Sequence, residues 1–528
     1  MQTERVSYVY DLLPYKSYPF SDSHPNHLAT IAALFGLESA PIERCRVLEM
    51  GCAAGGNIVP MAVALPESTF VGVELSARQV EEGRQTCAAL GLRNIELLHK
   101  SIEDIGTDFG AFDYIIAHGV YSWVPAPVRD KIISVCKSNL TRNGIAYVSY
   151  NTYPGWHMPQ ALREMMLYHI APHSDTKTRV AQARALLRFL REAAETSDAP
   201  YSKLVISEVD DLLKETDDYI YHDHLSKVNR PFYFHEFIRA AAGHGLQYLA
   251  EGDLPSVVVA KFPEKIAAQL RTARDIIQQE QYMDFLENRR FRKTLLCHAG
   301  RNVQRPIRPQ QVMNLSVSQM AKPKTDDWRE GVSGEIVLIR SNGREITFAM
   351  APVAKAAMPV VWANAPRAVP FAEMAAEARA RCGECKGDSE PKPDMTLEER
   401  LAHELIRLYL AGIVDLHIYA ADVAIEPGPQ PKVSPLTRYY AARRSSAVNQ
   451  WHEDVRLNPF ERELAALLDG TRDAAAILAA ASKKVAEVQA EAKAAGKDMP
   501  KGFPAAADTA AQIEAALRRF ADKALLVP

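Results

Sequence analysis

RVLEMGCAAGGN, residues 46–57, is an apolar run of strand length that carries an acid near its end and passes through a glycine-rich turn toward a helix-length segment opening near Ile58. Such a turn lets backbone N–H groups approach a ligand where side chains would obstruct. A second apolar run, Phe70 to Val73, ends in Glu74 and is followed by Leu75. An acid at the end of the second strand suits the two hydroxyls of a ribose. The turn departs from the dinucleotide fingerprint GxGxxG. Gly51, Ala53 and Gly55 stand in an E-x-G-x-G-x-G frame whose middle glycine has become alanine, Glu49 opens the frame and Asn57 closes the stretch.

Working outward, short apolar runs alternate with amphipathic helix-length segments. Strands are expected at 46–49, 70–74, 95–99, 114–117 and 145–149. This alternation implies a parallel sheet covered on both faces, with ligands beyond the carboxyl ends of its strands. Three aromatic groups converge on that edge. One is His118, Tyr121, Ser122 and Trp123 after the fourth strand, and another is Tyr153 with Trp156 after the fifth. The third is the segment 8–27, which carries Tyr8, Tyr10, Tyr15, Tyr18, Phe20, His24 and His27 among three prolines and reads as a lid.

The glycine frame resembles motif I of class I S-adenosylmethionine (SAM) methyltransferases. SAM has no pyrophosphate, so Glu49, which would be awkward beside phosphates, suits an amino acid's ammonium group. Where that family places an aspartate on adenine, this chain has Ser101, leaving the Ser101 hydroxyl, the Ile102 backbone or Asp104 for the contact. The stretches PYKSYPFSDSHPNHLA, GCAAGGN, AHGVYSWVPAPVRDK and YVSYNTYPGWHM are similar to methyltransferases carrying an appended regulatory domain. That domain's own signature resembles QYMDFLENRRFRKTLLCH, residues 281–298. The layout is similar to that of the bacterial protein lysine methyltransferases that modify outer-membrane proteins.

The resemblance implies an α/β chain in four parts. A Rossmann-like SAM domain with its lid is expected over 1–165, a mainly helical regulatory or dimerising domain over 166–305, an α+β middle domain over 306–427 and a winged-helix-like domain over 428–528. It implies SAM contacts at Glu49, Gly51, Ala53, Gly55, Asn57, Glu74, Leu75, Ser101, Ile102 and His118. Catalysis is expected at Tyr121, Trp123, Tyr153 and His118, where positioning is a safer role than general base. A substrate pocket is expected from Tyr15, Tyr18, His24, Trp156, Tyr219, Tyr221 and His222.

Composition sets the frame around this site. The 528 residues, 47% hydrophobic and 24% charged, describe a globular protein of several domains. A net charge of −3 with no basic stripe among aromatics argues against nucleic acid. No apolar run approaches a membrane span and no leader pattern is present, so a cytoplasmic protein is expected. Seven scattered cysteines make no disulfide framework. His222 and His224 with Asp218 or Asp223, and the lone pair Cys382 and Cys385, lack the further ligands a metal site needs, and none is expected.

Farther along, 163–197 reads as helical and 267–287 as a helix, and Arg289, Arg290, Arg292 and Lys293 as a solvated basic face. Asn342-Gly343 joins two alternating strands in a hairpin. Thr396 with Glu399 forms a capping box for a helix that Gly412 closes. The leading reading is a SAM-dependent methyltransferase acting on protein lysines, with a homodimer in the family's layout. Its rivals are a small-molecule methyltransferase and a SAM-binding regulatory or scaffold protein.

Overall fold

The computed structural model describes residues 17–325, 335–340, 343–382 and 395–528. The five expected strands are β1 (Arg46–Met50), β2 (Thr69–Glu74), β3 (Ile95–His99), β4 (Phe112–Ala117) and β5 (Leu140–Asn151), all parallel. Their side chains alternate between two cores, as a pleat of period two requires. Val47, Tyr114, Ile116, Ile145 and Tyr147 enter one. Leu48, Met50, Ile115, Ala117, Ala146 and Val148 enter the other.

The sheet does not end where the first domain was expected to end. Two more strands, β6 (Leu246–Glu251) and β7 (Phe291–His298), complete it in the order β3-β2-β1-β4-β5-β7-β6, with β7 antiparallel to both neighbours. A boundary at 165 would therefore cut the sheet, because the segment expected to be a separate helical domain supplies its last two strands.

The basic run 289–293 is likewise no solvated helix face. Arg292 lies on β7 and is fully buried, donating to Asp284 at 2.8 and 2.9 Å, Glu280 at 2.7 Å and Glu251 at 3.0 Å. Arg289 donates to Asp284 at 2.7 Å, and the Phe234 ring lies 3.8 Å from the Arg292 guanidinium. Burial opposes the Arg292 charge, but the three carboxylates outweigh it and hold the group protonated. Burial also pushes Glu251 up to about 7 against the pull of Arg292.

The helical segment 163–197 and the helix expected over 267–287 are each broken by an aspartate cap. Asp175 accepts from Thr178 N at 2.8 Å and starts Thr176–Glu195 afresh after His157–Ile170. Asp275 accepts from Gln278 N at 2.8 Å and separates Ile276–Glu287 from Glu264–Leu270. A carboxylate that satisfies an orphan N–H favours a new first turn over continuation.

The middle region holds the expected hairpin, Glu335–Arg340 against Glu345–Ala349. Gly343 sits at φ +80°, whereas Asn342 lies outside the described residues. Thr396 and Glu399 cap Leu397–Leu410 reciprocally, at 3.0 and 3.2 Å. Cys382 ends the helix Phe371–Cys382, and Cys385 lies outside the described residues. The C-terminal domain has its own core, with Phe460, Leu464, Ile477 and Phe520. Its Tyr440 and Val448, however, join the core that also contains Val47 and Tyr114. No helix among the described residues is long and apolar enough to cross a membrane.

Candidate active site

The sheet order reverses at β1 and β4, the switch point beyond whose carboxyl ends folds of this kind take their ligands. Glu49 near the end of β1 is 3% exposed. Its Oε1 accepts from Asn57 Nδ2 at 2.7 Å, and its Oε2 is buried with no hydrogen-bond partner among the described residues. Burial pushes this carboxyl up to about 7, the Asn57 bond opposing and the Glu74 charge adding. An unpaired buried carboxylate oxygen is costly unless something cationic meets it. An amino-acid ammonium fits that demand.

The turn that follows is strained to a purpose. Ala53 sits at φ +49°, a conformation that costs a non-glycine residue about 1 kcal/mol, and its N–H donates to Glu74 Oε2 at 3.0 Å. Glu74 Oε1 accepts from Leu75 N at 2.8 Å and Ser76 N at 2.9 Å. The carboxylate is thus fixed at the tip of β2 beside the glycine turn. After β3, Ser101 Oγ accepts from Glu103 N at 3.2 Å and Asp104 accepts from Ser101 N at 3.1 Å. Both side chains that were candidates for adenine are engaged in holding their own turn.

The N-terminal segment lies on the glycine turn. Gly56 N donates to Ser17 Oγ at 2.7 Å, and a Cβ at Gly56 would stand 2.3 Å from the Ser17 carbonyl oxygen. Phe20 N donates to Asn57 Oδ1 at 2.9 Å. The Phe20 ring stacks on His118 with centroids 3.6 Å apart. Tyr18 is 39% exposed, and Tyr8, Tyr10 and Tyr15 lie outside the described residues. The expected lid is helical at its end, for His24 is the N-cap of Pro25–Leu34 and accepts from Asn26 N at 3.2 Å.

His118, at the end of β4, pairs through Nδ1 with the Tyr147 hydroxyl at 2.9 Å and meets Phe291 edge-on at 6.1 Å. Burial brings its imidazole down to about 3, Lys293 adding and Asp22 opposing. Tyr153 stacks on His157 at 4.3 Å and tilts against Tyr233. Trp123 meets Trp156 edge-on at 6.2 Å, and Trp156 stacks on His224, which also contacts Tyr219. Tyr221 and His222 are buried against each other. Tyr121 differs from the expectation. It is 4% exposed and sits among Tyr150, Phe232 and Phe237, a packing position that its neighbours' apolar bulk enforces. The His24 ring faces His452 at 5.1 Å.

Three residues near this edge were not among the site residues expected from the sequence. Asp22 and Lys293 form an ion pair beside His118. The charge of Asp22 is opposed by burial, but His27 and Lys293 outweigh it and hold the carboxyl below the usual range. His452, from the far end of the chain, donates through Nε2 to Asn57 Oδ1 at 2.8 Å. Asp22 lies within the aromatic segment singled out as a lid and Lys293 within the basic run, so both had a local signal. His452 had none, being 395 residues from its partner. Among the described residues no group of three or more His, Cys, Asp or Glu is placed to hold a metal ion.

Comparison with known proteins adds three domain matches in the same order along the chain. Residues 47–144 match a methyltransferase domain, 216–298 a predicted methyltransferase regulatory domain, and 429–525 the "PKMT, C-terminal winged helix domain". The structure of PKMT2 from Rickettsia typhi in complex with AdoHcy superposes with a TM-score of 0.85 at 30% identity, covering 98% of this chain and 100% of that one. "Uncharacterized protein RP789" of Rickettsia prowazekii (strain Madrid E) is 38% identical over 89% of this chain and 85% of its own length. The glycine turn, the paired acids Glu49 and Glu74, the sheet order and these whole-length matches agree, and the chain belongs to the PKMT2 family of SAM-dependent methyltransferases.

Proposed function

We propose that this methyltransferase acts on lysine side chains of a protein, a reading supported most by its whole-length match to PKMT2, winged helix domain included. Glu49 and Asn57 would hold the amino-acid end of SAM, the Gly51–Ala53–Gly55 turn would pass close to it, Glu74 with Leu75 beside it would meet the ribose, and the Ser101–Ile102 turn the adenine. Bound SAM supplies an electrophilic methyl group on a sulfonium. The protein's own task is to bring a nucleophile in line with it in a dry site. A lysine ammonium, with an unperturbed pKa of about 10.4, must first lose its proton, and an apolar surround favours the neutral amine. Phe20, His118 and Phe291 provide such a surround, and His118, held neutral, adds no positive charge there. Tyr153, Trp123 and Trp156, with Tyr219, Tyr221 and His222, would flank the approach, and Tyr121 would back it as a packed wall. Exposed Phe189, Tyr201 and Leu204 on Thr176–Glu195 and Pro200–Lys214 give that region an apolar surface suited to a second copy of the chain. Catalytic, helical, middle and winged-helix parts remain the proposed division, with β6 and β7 assigned to the first.

Radiolabelled methyl transfer from SAM into a cell lysate, separated into protein and small-molecule fractions, tests the acceptor class. Label is expected in protein and, after hydrolysis, in methyl-lysine. Label confined to small molecules would establish the small-molecule alternative instead.

The raised Glu49 pKa gives a pH test of cofactor placement. In the free protein the carboxyl is mostly protonated at pH 6, and pairing with an ammonium requires its anion. Ligand affinity should therefore rise with pH, by roughly eightfold from pH 6 to 7.5 for a carboxyl at about 7. Calorimetry with AdoHcy, which has the same amino-acid end, should show this rise in the native chain and a flat, weaker profile in Glu49→Gln. A flat profile in the native chain would remove Glu49 from the amino-acid site.

A further inference from the structure

We infer that the C-terminal domain forms one wall of the cofactor site, with His452 as a positioning residue for Asn57 and Glu49, so that domain docking and SAM binding are coupled. This rests on the placement of the SAM amino-acid end at those two residues. His452 lies at the tip of a hairpin, Ser446–Val448 paired with Asp454–Arg456. It is 5% exposed and has φ +59°, a conformation imidazole side chains adopt rarely and keep only where surroundings fix it.

Those surroundings are explicit. Asn449 Oδ1 accepts from Trp451 N at 3.0 Å and Glu453 N at 2.8 Å, while its Nδ2 donates to the Lys523 carbonyl at 3.0 Å. Gln450 N donates to the Ala524 carbonyl at 3.0 Å. Trp451 stacks on His417 of the middle region at 4.4 Å and donates from Nε1 to the Pro366 carbonyl at 3.1 Å. The tip is braced from behind by its own domain and from the side by the middle region, and His452 is the residue it presents to the glycine turn.

What His452 does there follows from the polarity of one amide. Asn57 Oδ1 only accepts, so the ring carries its proton on Nε2, and with Phe20 N it holds that oxygen away from Glu49. Asn57 Nδ2 is thereby turned to Glu49 Oε1 at 2.7 Å and Ser23 Oγ at 3.0 Å. Were the amide to flip, its oxygen would face the carboxylate and the Glu49 rotamer would be lost. Burial and the neighbouring His24 hold the imidazole well below its usual pKa, so it remains a neutral donor. The bond joins residues of the first and last domains inside the cofactor crevice.

The test compares His452→Gly with His452→Gln in the full chain, by calorimetry with AdoHcy. Glycine is at ease at positive φ, so it keeps the turn while removing the imidazole, donor and ring together, and the glutamine variant separates the loss of the donor from the loss of the ring. The glycine variant should weaken AdoHcy about tenfold, the size of one net hydrogen bond in a buried network. Glutamine restores an N–H donor and should recover affinity to within about threefold. Affinity within twofold of native in the glycine variant, or a loss that glutamine does not recover, would overturn the inference. A second readout needs no variant. Coupling is reciprocal, so AdoHcy added to the native protein should slow amide hydrogen exchange over 450–453 and leave the helix Ala474–Ala494 unchanged. Exchange at the tip that ignores AdoHcy would overturn it equally. Glu74→Ala separates the two layers of argument. If it weakens AdoHcy while the His452 variants do not, only the coupling fails; if it too has no effect, the placement of the cofactor fails.

Discussion

Glu74→Ala should weaken SAM by about 1.5 to 3 kcal/mol, roughly ten- to 150-fold in affinity, the worth of charge-assisted hydrogen bonds to a ribose diol. The geometry argues for the upper half of that range. Three backbone N–H groups, from Ala53, Leu75 and Ser76, already orient the carboxylate, so little entropy remains to be lost when hydroxyls reach it. Removing it also releases the Ala53 N–H that helps keep an alanine in a left-handed turn, and the turn shares in the same site. Glu74→Gln preserves shape but turns one acceptor into a donor, so a smaller loss is expected. Calorimetry in the full chain measures both, and an unchanged affinity for the alanine variant would remove the ribose assignment.

The second large effect is structural. Arg292→Met should destabilise the protein by about 3 to 5 kcal/mol, because it leaves Glu251, Glu280 and Asp284 buried together without their shared cation. Arg289 still reaches Asp284, so the loss falls mainly on the two glutamates. Lysine is no substitute, for a single ammonium cannot serve three carboxylates through a planar fork. Thermal melting of the full chain should fall by roughly 3 to 5 °C in both variants. A melt within about 2 °C of native would mean that the acids protonate at little cost and that the cluster contributes scarcely anything. Since β7 also carries Phe291 and Lys293 to the His118 edge, loosening it is expected to reach the Asp22 pair and the segment over the cofactor crevice.

The parts of the fold legible in the sequence are those with local signals. β1 to β5 announce themselves as apolar runs between helices, and Glu49, the glycine turn and Glu74 follow from strand ends and spacing. Thr396 with Glu399 is a cap read directly from two residues. β6 and β7 were hidden for a physical reason: β7 begins FRK, and its charges are neutralised by acids on other elements, so no window of sequence shows them as buried. The two capping aspartates, Asp175 and Asp275, were masked by amphipathic residues on either side. Tyr121 looked like its neighbours at the crevice, and only the partners supplied by Phe232 and Phe237 mark it as packing. His452 lies at the opposite limit, since its role depends on a fold that brings residue 57 against a distant hairpin.

That last contact has a consequence for how the protein comes into being. Residues 46–74 leave the ribosome before the rest of the sheet, which lacks β7 until residue 298 has emerged, and Asn57 lacks its partner His452 until that residue has followed. Long-range closure of this kind is slow and leaves early segments exposed while they wait. A chain stopped before residue 452 would carry the recognisable motif without the contact from His452 to Asn57.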